Sequence, residues 1–458
     1  MLKKNRLAFA SRAFALLALG CATLPLAAQI GGGAGVGGFG GPAVLGRGSS
    51  GAGARAGEFG FRVYAGVNYL YDTGLTGFGL DTNGNVLNNA AQGVEGVAGI
   101  YGAKRNRRSY INLNYQAGYR QYNNLRGFNG TDQNITLQYS KQVNARQAVG
   151  IGVNAGTTNR AFGIGSLAGF VDPNFVGLGL PTAEVFDNRI YYGSGSVNYI
   201  WQRTARSSVS FSGAGFATRR TGNVLFGVNG ANASADYAYR LSRNQTINIG
   251  YNFLYFNFTR GFGNSQGHGI FVGYATKLAR KYDLSMRFGG LRMQNLFLQQ
   301  VDVDPVIAAI VGISQTTQVA NRSLYVPTGA ISFSGPVTRR SSFSVSAGLF
   351  ATPGNGVITT SRNWNAGASY SYTGLRRVGL SGGVFYNNIS SFTEDRRKFE
   401  TLGTYLSVAP RLTGDFHWGF NIGTRSFLSG TVNNFRRNSW FFSTGLYWSP
   451  GELPLNVR

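Results

Sequence analysis

Long segments of the chain alternate apolar and polar residues with a period of two. In the first segment the apolar positions are Phe59, Phe61, Val63, Ala65, Val67 and Tyr69, and the alternate positions are Arg62, Tyr64, Gly66 and Asn68. The same alternation recurs along the chain, and its last apolar stripe runs from Trp440 to Trp448. Because successive side chains of a strand point to opposite faces, the pattern predicts β-strands with one apolar and one largely polar face.

The composition supports strands over helices and argues against several kinds of chemistry. The 458 residues include 68 Gly, 14% aromatic residues and 13% charged residues, compared with about 7% Gly and about 25% charged residues in ordinary domains. Glycine and aromatic residues favour strands joined by tight turns. A lone Cys21, with His268 and His417 far apart in sequence, argues against a disulfide scaffold and a zinc site. We therefore expect no metal site, no cofactor and no catalytic site.

The N-terminus has the features of a secretory signal peptide. Four basic residues precede an apolar stretch from Ala13 to Ala28, and small residues at its end predict cleavage after Ala28. Residues 1–28 are therefore interpreted as the signal peptide. The alternative is a lipoprotein, because the residues before Cys21 resemble a lipidation box with two positions exchanged. Residues 29–57 are mostly Gly, Ala and Ser, a composition that predicts a disordered leader.

Residues 58–448 are organised as a series of hairpins. Eight short turns, most of them 36 to 38 residues apart, are centred near Asn106, Asn144, Ala205, Ser242, Arg280, Thr338, Leu375 and Leu412. Two intervals are longer and contain the insertions 160–187 and 294–321, of which we expect the second to form a plug or a short helix. Counting both sides of every turn predicts about 18 strands, with 16 as the alternative, followed by a tail over residues 449–458.

The predicted strands run 10 to 15 residues, and about 9 to 11 residues suffice to cross a bilayer at a tilt. Soluble β-sandwiches use strands of about 5 to 6 residues. In these respects residues 58–448 resemble the Gram-negative outer-membrane β-barrels. The resemblance implies an all-β, antiparallel up-and-down transmembrane barrel in the cell outer membrane, with short turns facing the periplasm and long loops facing outwards. It rests on architecture, so it identifies a class and leaves the function open.

The short turns carry many basic residues and no acids. They hold Lys104, Arg105, Arg107, Arg108, Lys141, Arg146, Arg203, Arg206, Arg240, Arg243, Lys277, Arg280, Lys281, Arg339, Arg340, Arg376, Arg377 and Arg411. Together they supply much of the formal net charge of +26. One interpretation is a positive field that concentrates anions at one mouth of the barrel. The other is that these side chains are solvated or contact lipid headgroups.

Four charged residues lie on the polar faces of predicted strands and are therefore expected inside the barrel. They are Arg62, Arg120, Arg287 and Asp236. An Arg facing lipid at the bilayer midplane costs roughly 2 to 4 kcal/mol, which favours the inward assignment. The arginines either select anionic or polar solutes or pair with acids and support the wall, and the sequence does not decide between these roles.

The insertion 160–187 follows the fifth predicted strand and resembles, in position, the constriction loop of general diffusion porins. It carries Asp172, Glu184 and Asp187, which that resemblance places opposite the lumen arginines. A loop packed over the rim is the alternative.

The chain is therefore expected to be a passive outer-membrane pore for small hydrophilic solutes, with some preference for anions. The alternatives are a non-conducting surface anchor or adhesin, and an export pore for an acidic polysaccharide. Its expected partners are outer-membrane lipid and small anionic or polar solutes, without nucleic acid. Neither histidine has the flanking acids of a barrel hydrolase, so no enzymatic activity is expected.

Overall fold

The computed structural model describes residues 61–73, 90–106, 108–123, 128–158, 189–221, 225–279, 281–303, 310, 312, 315–338, 340–354, 359–375, 378–392, 398–430 and 437–450. The expected signal peptide, the leader and residues 160–187 lie outside these ranges. The strands are β1 (Arg62–Asp72), β2 (Ala91–Arg105), β3 (Ser109–Tyr122), β4 (Gly130–Asn144), β5 (Gln147–Thr158), β6 (Ile190–Gln202), β7 (Ser207–Arg220), β8 (Gly227–Arg240), β9 (Gln245–Thr259), β10 (Asn264–Leu278), β11 (Tyr282–Asp302), β12 (Gln315–Thr338), β13 (Ser341–Thr352), β14 (Ser361–Leu375), β15 (Val378–Ser391), β16 (Lys398–Pro410), β17 (Phe416–Gly430) and β18 (Arg437–Trp448).

The strands form one closed antiparallel sheet. Each strand pairs with its neighbours in sequence, and β1 pairs with both β2 and β18, so that the 18-stranded sheet closes on itself. The register at closure places Ala65 opposite Trp448 and Asp72 opposite Phe441. Closure pairs both edges of the sheet and leaves no open edge between its first and last strands. The all-β barrel predicted from the alternation is thereby confirmed, with 18 strands rather than 16.

Both ends of the expected insertion 294–321 are strand, because β11 extends to Asp302 and β12 begins at Gln315. Most of residues 304–314, where the plug or short helix is expected, lie outside the described residues. Strands β11 and β12 remain paired from Asp283 and Ser334 up to Asp302 and Gln315. Their pairing continues beyond the last β10 partner, Asn264, which lies opposite Leu296. Residues 315–320 include three Thr or Val residues and contain no Gly or Pro. Their strand propensity allows the hairpin to extend beyond its neighbours.

Large inward-facing side chains lie opposite glycines on the neighbouring strand. Tyr64 is the cross-strand partner of Gly99, and Phe216 is the partner of Gly230. A Cβ atom at Gly230 would lie 2.2 Å from Cζ of Phe216. The same relationship holds for the pairs Tyr122 and Gly93, Tyr192 and Gly156, Phe385 and Gly403, Phe441 and Gly423, and Tyr447 and Gly66. Many glycines thus provide the space in which interior side chains lie against the wall.

The outer surface of the barrel is apolar. Its most exposed large side chains include Val67, Ile270 and Phe288, which are 59%, 63% and 61% exposed. An apolar surface that runs around the whole barrel is unsuited to water and suited to lipid. Within the described ranges, no helix combines the length and apolar character needed to cross a bilayer.

Candidate functional site in the barrel interior

Arg120 lies at the centre of a polar network on the inner wall of β1 to β4, near the long-loop end. It is 8% exposed. Its Nη2 and Nε atoms donate to Oε1 of Glu95 at 2.8 and 3.2 Å, and Nη2 also donates to Asp132. Asn68 donates from Nδ2 to the other Glu95 oxygen at 3.2 Å. Two carboxylates therefore neutralise this guanidinium, so Arg120 offers little uncompensated charge to a passing anion.

Arg287 lies near the opposite, short-turn end of the barrel and contacts an aromatic ring. Its Cζ atom is 3.0 Å from the ring centroid of Phe271, within the range of a cation–π contact. Asp236 interacts electrostatically with Arg287 and also accepts a hydrogen bond from Ser234 at 3.4 Å. Gly250 lies between Asp236 and Phe271, and a Cβ atom there would come within 2.3 Å of both. The absence of a side chain at Gly250 lets these three groups converge.

Arg62 also faces inwards, at the start of β1 and opposite Tyr101. The structure does not bring the three lumen arginines together. Arg62 and Arg287 lie towards the short-turn end on β1 and β11, and Arg120 lies towards the long-loop end of β3. The three arginines therefore do not line the lumen together at a single height of the barrel. Asp172, Glu184 and Asp187, the acids expected in the constriction loop, fall outside the described residues.

An apolar cluster lines the inner wall of β7 to β12 towards the long loops. Its buried members include Phe216, Val228, Leu254, Phe256, Phe258, Leu291, Met293 and Val326. Phe392, just after β15, packs against them. The hydroxyl of Ser265 on β10 hydrogen-bonds to the hydroxyl of Thr360, just before β14. Wall positions separated by three strands thus meet at this level, which narrows the interior on one side.

Basic residues of the short turns line one end of the barrel. Among the described residues these are Lys104, Arg108, Lys141, Arg146, Arg203, Arg206, Arg240, Arg243, Lys277, Lys281, Arg340 and Arg411. Several donate to turn carbonyls, as Arg340 does to Gly374 at 3.1 Å and Arg411 does to Gly414 at 2.9 Å. A neutral carbonyl does not cancel the charge of a guanidinium. Two acids also lie at this rim: Asp283 pairs with Lys277 at 3.0 Å, and Asp415 falls in the turn between β16 and β17, which corrects the expectation that the short turns hold no acids. Basic residues still outnumber acids among the described residues of the rim.

The two histidines lie apart from each other, on opposite faces of the wall. His268 faces outwards, and its Nδ1 and Nε2 atoms hydrogen-bond to Tyr251 and Gln266. His417 faces inwards and donates from Nδ1 to the carbonyl oxygen of Asp415 at 3.2 Å. Within the described part of the chain, no group of three or more His, Cys, Asp or Glu side chains is placed to hold a metal ion.

Sequence reasoning missed the acids that surround Arg120. Glu95 and Asp132 both lie in predicted strands, and each falls on the polar face of its strand. Their positions in the alternating pattern (parity) would by themselves have placed both side chains inside the barrel. Their pairing with Arg120 depends on the register. It sets Glu95 directly opposite Arg120 on β2, and on β4 it sets Asp132 two residues beyond Gly130, the other cross-strand partner of Arg120.

The sequence matches no known protein family and no curated protein. The structure is similar to the unliganded ferric citrate transporter FecA, with 9% identity over 86% of this chain and 79% of FecA and a TM-score of 0.41. It is similar to OpdO of Pseudomonas aeruginosa, with 10% identity over 85% and 97% of the two chains and a TM-score of 0.39. It is also similar to the siderophore receptor PirA of Acinetobacter baumannii, with 7% identity over 86% and 81% and a TM-score of 0.40. These similarities describe the barrel fold alone.

The chain's own architecture defines its class. A closed antiparallel barrel with an apolar outer surface, and with polar and aromatic side chains inside, is an outer-membrane β-barrel. This assigns it to the cell outer membrane, as the resemblance to Gram-negative outer-membrane barrels implied.

Proposed function

We propose that the chain is an outer-membrane channel for the passive diffusion of small hydrophilic solutes, with anions favoured at the short-turn mouth. The observation that carries the proposal is the distribution of charge. Inside the barrel, Arg120 is neutralised by Glu95 and Asp132, and Arg287 faces Asp236. At the short-turn rim, basic residues greatly outnumber acids. The basic residues of the rim, rather than the lumen arginines, would therefore give the channel its preference for anions.

The polar part of the inner wall supports passage of hydrophilic solutes. Inward positions carry amides and hydroxyls that hydrogen-bond across strands, as Asn154 does to Thr136 at 2.9 Å and Asn421 does to Ser443 at 3.2 Å. Such groups can exchange hydrogen bonds with water and polar solutes. A positive rim raises the local concentration of anions, and salt screens this effect because the Debye length falls from about 30 Å at 0.01 M to about 3 Å at 1 M.

The test is single-channel recording in planar bilayers under a salt gradient. Replacing Arg203, Arg206, Arg240 and Arg243 together by Gln removes four charges from two neighbouring turns, and the reversal potential should shift towards cation preference. The matched control is Glu95→Gln combined with Arg120→Gln, which leaves the net charge of the lumen network unchanged. That control should leave the reversal potential at its original value. If the reversal potential shifts in the control but not in the rim variant, the rim is not the source of the anion preference.

A non-conducting anchor is the second candidate, and the apolar cluster at the long-loop end favours it. Phe256 and Met293 are fully buried although they face inwards, so side chains fill this part of the interior. A folded, inserted protein that passes no current at any salt concentration would support the anchor and reject the channel.

We also propose that the barrel is not an enzyme. The separation of His268 and His417, on opposite faces of the wall, supports this proposal. Acid–base or nucleophilic catalysis needs its groups within hydrogen-bond reach of one another.

A further inference from the structure

The outer surface of β9 to β12 changes abruptly from apolar to polar along the strands. One row of cross-strand partners consists of Tyr251, Ile270, Gly290 and Pro327. The next row towards the long loops consists of Phe253, His268, Arg292 and Tyr325, and the row beyond it of Tyr255, Gln266, Gln294 and Ser323. Aromatic side chains beside polar ones are typical of the interface between hydrocarbon and headgroups.

The position of Arg292 along its strand agrees with this boundary. Strand β11 begins at Tyr282 on the short-turn side. With a rise of about 3.3 Å per residue and a tilt of about 40°, roughly ten residues reach about 25 Å, the height of the apolar band of such barrels. Arg292 therefore lies at the edge of the hydrocarbon on the long-loop side.

Arg292 presents an uncompensated charge at this boundary. It is exposed and, within the described part of the chain, it has no hydrogen-bond or ion-pair partner. Its cross-strand neighbours are His268 on one side and Tyr325, which is 81% exposed, on the other. The guanidinium thus faces the lipid interface beside groups that carry no negative charge. An anionic lipid headgroup would provide the guanidinium of Arg292 with a negatively charged partner.

A small hydrogen-bonded unit is fixed beside Arg292. Oη of Tyr251 lies 2.6 Å from Nδ1 of His268, and Nε2 of Gln266 lies 3.0 Å from Nε2 of the same ring. The ring of Phe253 packs against His268, with the centroids 5.2 Å apart. When Gln266 donates to Nε2, the imidazole proton lies on Nδ1 and is donated to Tyr251. The hydroxyl proton of Tyr251 is then available to a further acceptor at the same surface.

We propose that Arg292 and the hydroxyl of Tyr251 form a binding site for the terminal phosphate of an anionic phosphomonoester lipid in the long-loop leaflet. A guanidinium binds phosphate oxygens through two parallel hydrogen bonds. A phosphomonoester carries more negative charge than the phosphodiester of a zwitterionic headgroup, whose own ammonium already balances its phosphate, and should therefore bind more tightly. The apolar row below, with Ile270 and Pro327, contacts the acyl chains. This site is independent of conduction, because it lies on the outer face of the wall.

The experiment is a lipid titration of the detergent-solubilised full-length protein, monitored by native mass spectrometry. The probes are dioleoyl phosphatidic acid and dioleoyl phosphatidylcholine. Phosphatidic acid should bind about tenfold more tightly, equivalent to ~1.4 kcal/mol. Arg292→Gln should abolish this difference, and Tyr251→Phe should reduce it. The matched control is Arg219→Gln, which removes another exposed arginine from the outer face, nearer the end of its strand, and should retain the difference.

Three results would overturn the proposal. The first is equal affinity of the unmodified protein for both lipids. The second is an equal loss in the Arg292 and Arg219 variants, which would indicate a diffuse charge effect. The third is displacement of phosphatidic acid by inorganic phosphate at the same concentration, which would mean that the site recognises the free anion rather than a lipid. A heat-dependent gel shift shows that each variant is folded before the titration.

Discussion

Arg120 and Glu95 are direct cross-strand partners on the inner wall, and their side chains meet at 2.8 Å between Nη2 and Oε1. Asp132 approaches the same guanidinium from β4. The three side chains are largely shielded from solvent, with side-chain exposures of 9%, 15% and 24% for Arg120, Glu95 and Asp132. The network therefore links three successive strands at the long-loop end of the barrel.

Removing Arg120 should destabilise the barrel strongly. Arg120→Gln leaves Glu95 and Asp132 as neighbouring buried acids, and breaking a buried ion pair in this way costs about 3 to 5 kcal/mol. Urea unfolding in detergent micelles, followed by circular dichroism, measures the change in the free energy of unfolding. Adding Glu95→Gln to the same chain should restore much of the loss. An Arg120→Gln variant as stable as the unmodified protein would show that the network contributes nothing to stability.

The glycines opposite interior aromatic rings should not tolerate a side chain. In Gly230→Ala the new Cβ atom would lie 2.2 Å from Phe216 and 2.8 Å from the backbone oxygen of Tyr255. Overpacking of this kind costs about 1 to 3 kcal/mol. The control is Gly195→Ala, where a Cβ atom meets nothing within 4 Å, so stability should change by less than about 0.5 kcal/mol. Similar losses in both variants would contradict the packing relationship.

Asp236 should weaken the positive charge of Arg287 at the short-turn end. Asp236→Asn removes the carboxylate that interacts with Arg287, and the reversal potential should shift towards anions. Ser234→Ala removes an uncharged hydroxyl that hydrogen-bonds to Asp236 and to Ser212, and it should leave the reversal potential unchanged. Both are measured by single-channel recording. No shift in the Asp236 variant of a conducting channel would place the pair away from the permeation path.

Cysteine labelling should separate the two faces of the wall. In a Cys21→Ser background, cysteines at Leu113, Leu137 and Leu446 should react with a probe dissolved in lipid, and cysteines at Asn112 and Gln138 should react from water. Gly445 is unsuitable as a water-facing site, because a Cβ atom there would lie 2.1 Å from the Asn68 side chain. Reversed or mixed labelling would show that the faces are assigned wrongly.

Epitope tags should report the orientation of the barrel. If short turns face the periplasm, a tag inserted at Ser242 should be hidden from antibody on intact cells and visible after the outer membrane is permeabilised. A tag in the long loop near Asn434 should be visible on intact cells. Visibility of the Ser242 tag on intact cells would invert the orientation, and the basic rim would then face outwards.

The alternation of residues determined much of this protein by itself. A period of two in segments of 10 to 15 residues can satisfy a bilayer only as a closed antiparallel barrel, since every backbone group must pair. Parity then predicted which side chains face inwards, because successive strand residues point to opposite faces. Arg62, Arg120, Arg287 and Asp236 lie inside for that reason. The spacing of the basic turns similarly gave the strand number and placed positive charge at one rim.

Only the tertiary structure decided which inward groups meet. Register between strands depends on pairing across the whole sheet, so Glu95 opposite Arg120 and Gly230 opposite Phe216 could not be read from parity. Arg120 lies near the end of β3 and Arg287 near the start of β11, so these two charges on the same inner face lie at opposite ends of the barrel. The extension of β11 and β12 into the expected insertion, as far as Asp302 and Gln315, follows from their mutual hydrogen bonding, which satisfies the backbone without a third strand. The sequence carries the preference of each residue for a face, whereas the positions of partners arise from contacts between segments far apart in the chain.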